Sequence, residues 1–266
     1  MEYKGNLSKM QIAFENPVKY FLQLGEEKIS MNDLIRQNIE LNYDSIIYCV
    51  ACGRKIKKAF GQGFCYPCFM NSPLNSECIL KPELCRAHLG EGRDPAWEEK
   101  NHNQPHYVYL ALTSGVKVGV TRMDQIPTRW IDQGAWKTIK LAFTPNRYTA
   151  GLIEINLKNH ISDKTPWQKM LKNEQDESIN LITEKEKIIS LLDQEYIEYI
   201  LSEDNEVFTF EYPVINYPKV IKSINLDKTP HIHEKLIGIR GQYLIFDKNH
   251  VINLRKYSGY EITLRY

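Results

Sequence analysis

Two C-x-x-C pairs, Cys49-Val50-Ala51-Cys52 and Cys65-Tyr66-Pro67-Cys68, stand twelve residues apart, and this spacing constrains the fold more than any other feature of the chain. Four thiolates at about 2.3 Å from one ion form a closed tetrahedral shell. Gly53, directly after the first pair, permits the tight turn that aims backbone N–H groups at the sulfurs. The pattern is that of a zinc ribbon. A closed shell leaves no position for substrate, so the ion is expected to be structural; four free buried thiols or an iron–sulfur cluster are the other readings of the same ligands. All six cysteines fall within residues 49 to 85, a crowding that favours metal over a disulfide framework.

A looser set follows. Cys78, Cys85 and His88, with His102 and His106 downstream, has the residue types of a second zinc site, expected as Cys78, Cys85, His88 and one of the later histidines, His102 or His106. The alternative is that the two cysteines are small buried residues and the histidines satisfy local hydrogen bonds. His231 and His233 lie in a proline-flanked stretch and read as surface residues. One or two zinc ions are therefore expected.

The 34 basic residues are balanced by 33 acidic ones, so the net charge of +1 gives no global pull toward nucleic acid or membrane, and any anionic partner must meet a local patch. No run approaches the roughly 18 apolar residues of a membrane helix. The start, Met1-Glu2-Tyr3-Lys4-Gly5, lacks the apolar core of a secretion signal, so the cytoplasm is the expected compartment, with no membrane partner.

The texture of the chain predicts an α+β protein with a zinc ribbon inserted between a β-rich N-terminal segment and a mixed α/β core, followed by helices and a small antiparallel β-domain. The segments are residues 1–48 (β-rich), 49–105 (zinc-binding, with five of the twelve prolines), 106–170 (core), 171–205 (helical linker) and 206–266 (C-terminal β-domain). Within the core, Tyr107–Leu112 and Val116–Val120 read as a hairpin across Thr113-Ser114-Gly115, with a helix near Pro127–Gln133 and a strand at Thr138–Phe143. Ala150, Ile153, Leu157 and Ile161 then fall at helical spacing. Residues 168–203, rich in Glu, Lys, Leu and Ile, read as surface helices.

The segment Tyr107-Val108-Tyr109-Leu110, Gly115 to Arg122, Arg129, Gly134-Ala135 and Gly151-Leu152-Ile153-Glu154 resembles the GIY-YIG nuclease superfamily over about 60 residues. In that superfamily a hairpin carries two tyrosines, the next helix an arginine, and a later helix a glutamate that binds one divalent metal. The resemblance implies Tyr109, Lys117, Arg129 and Glu154 as candidate catalytic residues, with Tyr107 the alternative for the first tyrosine and Mg²⁺ or Mn²⁺ at Glu154. Phosphodiester hydrolysis would use the metal to stabilise the leaving oxygen and the arginine to neutralise charge on the phosphate. The second tyrosine is replaced by Lys117, in Lys117-Val118-Gly119.

The whole chain is also similar to an uncharacterised bacterial family, domain of unknown function 2797. The motifs are Cys49-x-x-Cys52-Gly53, Gly63-Phe64-Cys65-Tyr66-Pro67-Cys68, Pro82-Glu83-Leu84-Cys85, Val116 to Arg122, Ile126 to Ala135 and Gly238 to Leu244. In that family further cysteines follow near Gly92 and His102; here they are absent, and His88 with His102 are their expected replacements. Two functions follow from the resemblances. One is a zinc-stabilised protein that binds or processes DNA or RNA through a GIY-YIG-like cleft. The other is a catalytically inactive module of that shape, serving as a nucleic-acid or protein interaction scaffold. The oligomeric state is not encoded in any motif.

Overall fold

The computed structural model describes residues 1–161 and 166–266. Its strands are β1 (Glu2–Asn6), β2 (Gln11–Ala13), β3 (Lys19–Leu24), β4 (Glu27–Ser30), β5 (Asn38–Tyr48), β6 (Lys55–Ile56), β7 (His106–Leu112), β8 (Val116–Arg122), β9 (Lys137–Thr144), β10 (Val207–Thr209), β11 (Lys222–Ser223), β12 (His231–Arg240), β13 (Tyr243–Phe246), β14 (His250–Asn253) and β15 (Tyr260–Arg265). The α-helices are α1 (Tyr66–Asn71), α2 (Pro95–His102), α3 (Thr128–Asp132), α4 (Arg147–Leu157), α5 (Trp167–Leu171) and α6 (Leu181–Ile189). The class is α+β, with several sheets and few helices. No helix among the described residues is long and apolar enough to cross a membrane.

The chain divides into two compact units, one of residues 1–70 with 211–266 and one of residues 71–210. In the first, an eight-stranded sheet runs β1-β15-β5-β12-β13-β14-β11, with β6 also paired to β5, and a second sheet runs β2-β3-β4. The long strand β5 is the organiser, because Leu41 and Asn42 pair with β12 on one side and β15 on the other. Alternation supplies the core: Tyr20, Leu22 and Leu24 of β3 are buried while Lys19, Phe21 and Gln23 are less so.

The C-terminal strands are therefore not the self-contained β-domain expected from sequence. They share a sheet with the N-terminal segment, and the β11–β14 pair is parallel, not antiparallel. Period-two alternation reports that a strand is half buried; it carries no record of which strand covers its edge.

In the second unit the sheet order is β10-β9-β7-β8. The expected hairpin is present, with Leu112 opposite Val116. One sheet face packs Val108, Leu110, Leu112, Val118 and Val120 against Ala150, Ile153 and Leu157 of α4. Asn146 caps that helix by accepting from the Thr149 N–H at 2.9 Å. The stretch expected to be surface helices contributes to this core as well, since Leu181 and Ile188 of α6 are buried in it. Lys185, between them, is also buried and donates to the backbone carbonyls of Leu201 and Asp204. Composition alone concealed this, because a lysine on the inner face of a helix looks like any solvated charge.

Candidate metal centres and a buried polar cluster

The ribbon is built where β5 runs out. Gly53 adopts φ +70° and its N–H donates to the Cys49 carbonyl at 2.8 Å, closing the first knuckle as its sequence requires. The second knuckle leads into α1, whose first turn is set by the Phe69 N–H donating to the Cys65 carbonyl at 2.8 Å. Between the knuckles Phe60 and Phe64 exchange backbone hydrogen bonds. The ligand atoms of Cys49, Cys52, Cys65 and Cys68 all lie within 4.8 Å of one another. Cys52 Sγ and Cys65 Sγ are 3.8 Å apart, the sulfur–sulfur edge of a tetrahedron with Zn–S near 2.3 Å.

The electrostatics fit a cation. Burial raises the Cys49 thiol, but N–H groups of Cys65, Cys52 and Ala51 outweigh it and bring it down to about 6. Hydrogen bonding to Cys65, with burial, pushes Cys68 up to about 12. Thiols this close cannot all ionise without a counter-ion, and a zinc ion would replace the shared protons with two positive charges. Arg54 is held above its usual range by its hydrogen bond to Cys52, which makes it a partner of the thiolates.

The second group consists of Cys78, Cys85, Glu98 and His102, all buried, with ligand atoms again within 4.8 Å of one another. Cys78 Sγ lies 3.6 Å from His102 Nδ1, and Glu98 Oε2 contacts the same nitrogen. The Cys85 thiol pulls Cys78 down to about 4 against burial, with help from His102 and Ser76, while Cys85 itself is driven up by Cys78 and by burial. Two sulfurs, an imidazole and a carboxylate satisfy zinc's preferences, and burial of all four leaves no side open to water, as in a structural site.

Glu98 stands in the place expected for His88. Both Glu98 and His102 lie on α2 one turn apart, and Asp94 caps this helix by accepting from the Trp97 N–H at 3.0 Å. Spacing of i and i+4 puts their side chains on one face. His88 instead stacks on Tyr148, with ring centroids 4.5 Å apart, and its Nδ1 is buried without a hydrogen-bond partner among the described residues. His106, the other downstream candidate, faces the Gln104 carbonyl through Nδ1 at 2.6 Å. The Glu98-x-x-x-His102 spacing was the available signal, masked by the commoner reading of a glutamate as surface charge.

This centre is fastened to α4. Arg147, at the start of the helix, donates to the carbonyls of Cys78 at 2.9 Å and Ile79 at 3.1 Å. Further along, a Cβ on Gly151 would come within 2.2 Å of the Glu83 backbone nitrogen, so only glycine lets the helix seat against the turn Pro82–Leu84 that precedes Cys85.

The candidate catalytic residues gather in the same unit. Tyr109 of β7 is fully buried and donates to Gln133 Oε1 at 2.8 Å, and Lys117 of β8 donates to the same oxygen at 2.6 Å. Lys117 pairs with Ala111, two residues beyond Tyr109, so the two side chains share a sheet face. Burial raises the Tyr109 phenol, the half-buried Arg129 pulls it back, and Glu154 adds to the rise. Trp130 of α3 covers Tyr109 edge-on at 5.8 Å. Glu154, on α4 and 8% exposed, has the Lys158 ammonium 3.4 Å from its carboxylate. Gln133, which caps the end of α3, carries no sign of this role in the sequence and becomes central only once the hairpin folds beneath it.

Gly119 makes room for this cluster. A Cβ there would sit 2.7 Å from the Tyr109 hydroxyl and 2.8 Å from its ring carbon Cζ. Because Tyr109 is packed on all sides, Gly119→Ala is expected to cost about 1–3 kcal/mol, the usual range for overpacking. Urea unfolding checks this, and a midpoint equal to that of the wild type would show that the ring can move aside.

Residues 36–262 match the family described as protein of unknown function (DUF2797). No curated protein and no solved structure matches the chain.

Proposed function

Since the chain belongs to the DUF2797 family of proteins of unknown function, whose description carries no activity, we propose from its own residues that it is a zinc-stabilised nucleic-acid-binding protein with a GIY-YIG-like core. The observation that carries this reading is the convergence of Tyr109, Lys117 and Arg129 on one site, joined through Gln133 and the Tyr109 hydroxyl. The half-buried Arg129 is the member of this cluster that a phosphate can reach, and it can give two parallel hydrogen bonds, while the enclosed Tyr109 and Lys117 hold the site in place through Gln133. The two cysteine-rich groups act as structural zinc centres that hold the surrounding loops.

Binding is favoured over hydrolysis by three features. Tyr109 is wholly enclosed, the second hydroxyl of the nuclease pattern is an ammonium, and Glu154 already faces Lys158. A single carboxylate neutralised by a lysine is a poor seat for Mg²⁺ or Mn²⁺, which favour several oxygen ligands. Arg129→Ala is therefore expected to weaken nucleic-acid binding and reduce its salt dependence by about one unit of slope. Glu154→Gln should leave affinity unchanged or raise it. Fluorescence anisotropy across a salt series reads both. Cleavage of DNA or RNA on addition of Mg²⁺ or Mn²⁺, abolished by Glu154→Gln, would overturn the binding-only reading in favour of metal-assisted hydrolysis.

A further inference from the structure

The zinc ribbon carries a surface that neither metal binding nor the Arg129 cluster uses. Between Asp44 and Glu77 the chain has no acidic residue and four basic ones, Arg54, Lys55, Lys57 and Lys58, in a protein whose total charge is only +1. Arg54 is engaged by the Cys52 thiol, whereas Lys55, Lys57 and Lys58 are exposed and form no ion pair among the described residues. Phe60 follows in the same loop, and Tyr66 opens α1. The Lys58 ammonium lies 5.4 Å from the Phe60 centroid, and Phe60 meets Tyr66 edge-on at 5.4 Å. Tyr66 is 58% exposed.

We propose that this face of the ribbon, Lys55, Lys57 and Lys58 with Tyr66 set against Phe60, binds single-stranded nucleic acid. The backbone phosphates lie along the lysines and a base stacks on the Tyr66 ring. An exposed ring held in place by a second ring, beside uncompensated cations, is the combination that single-strand binders use. A duplex keeps its bases stacked within itself and cannot offer one to Tyr66, so the ring adds affinity only for an unpaired strand. Phe60 holds the Tyr66 ring and lies under the Lys58 ammonium before the strand arrives, which lowers the ordering cost of binding. This surface rests on the reading above only for the class of partner.

The test uses the full chain and measures anisotropy of fluorescein-labelled oligo(dT), oligo(U) and a mixed-sequence duplex at low salt. The wild type should bind the single strands more tightly than the duplex, and oligo(dT) against oligo(U) reports whether DNA or RNA is preferred. Tyr66→Ala should weaken single-strand binding about tenfold or more with the salt slope unchanged, and Tyr66→Phe, which keeps the ring, should bind as the wild type. Changing Lys55, Lys57 and Lys58 together to alanine should reduce the slope of log K against log salt by about 2, at roughly 0.7 per phosphate contact on a single strand. Unchanged zinc content shows that each variant has kept its ribbon. Equal affinity for duplex and single strand, wild-type affinity in both the Tyr66→Ala and lysine variants, or no binding of any oligonucleotide would overturn the proposal. Loss of affinity in Arg129→Ala alone would leave the buried cluster as the binding site and remove the ribbon; loss in the ribbon variants alone would do the reverse.

Discussion

Protein ending at Asn249 is expected to be recovered only from the insoluble fraction. The deletion removes β14 and β15, and β15 lies inside the large sheet, paired along its length with β1 on one side and β5 on the other. With them go Val251, Ile252, Leu254, Tyr257, Tyr260, Ile262 and Leu264, all buried. At roughly 1.5–3 kcal/mol for each buried apolar side chain, the loss is about 10–20 kcal/mol. A whole domain is typically stable by only about 5–15 kcal/mol. The edges of β1 and β5 would also be left unpaired, and open strand edges template aggregation. Soluble truncated protein with a cooperative thermal transition would refute this account of the sheet.

Metal analysis should give close to two zinc ions per chain, with the two losses separable. Cys49→Ala is expected to abolish the ribbon ion and leave the other, because each group of four draws its ligands from its own stretch of chain. Cys85→Ala combined with Glu98→Gln should remove the second ion and leave the first. Apparent folding energies of about 10–16 kcal/mol accompany zinc binding in small zinc domains, so either loss should release the surrounding segment to proteolysis. His88→Ala distinguishes the ligand sets: it should keep two ions, since His88 stacks on Tyr148 outside the group. A drop to one ion in His88→Ala, or a wild-type content of one that Cys85→Ala does not change, would refute the second centre as drawn.

What the sequence disclosed, and what it hid, divides along a physical line. Features set by neighbours a few residues apart were legible. The hairpin of β7 and β8, the helix at Thr128–Asp132 and the spacing of Cys49, Cys52, Cys65 and Cys68 all follow from local turn chemistry and ligand periodicity. The second candidate metal group was half legible, because its two cysteines are conspicuous while Glu98 looks like every other helical glutamate until Cys78 and His102 surround it. Long-range pairing was hidden. Nothing in the composition of β15 names β1, 254 or more positions earlier, as its partner. The role of Gln133 was invisible for the same reason: an amide oxygen that accepts from both Tyr109 and Lys117 acquires meaning only when strand and helix meet.

The interleaving of the two units in the chain has a consequence for biosynthesis. The ribosome releases residues 1–70, then all of 71–210, and only afterwards the strands that β5 needs on both flanks. The later-starting unit is thus the first that can finish folding, reversing the usual N-terminal-first order. Until β12 and β15 emerge, β5 lacks the strands that pair along its edges, and an open strand edge is a template for aggregation. Closing a separation of this length also slows the final pairing. Early capture of zinc at Cys49, Cys52, Cys65 and Cys68 would give the waiting N-terminal segment a locally completed structure beside the β2-β3-β4 sheet, making metal supply during translation a determinant of yield.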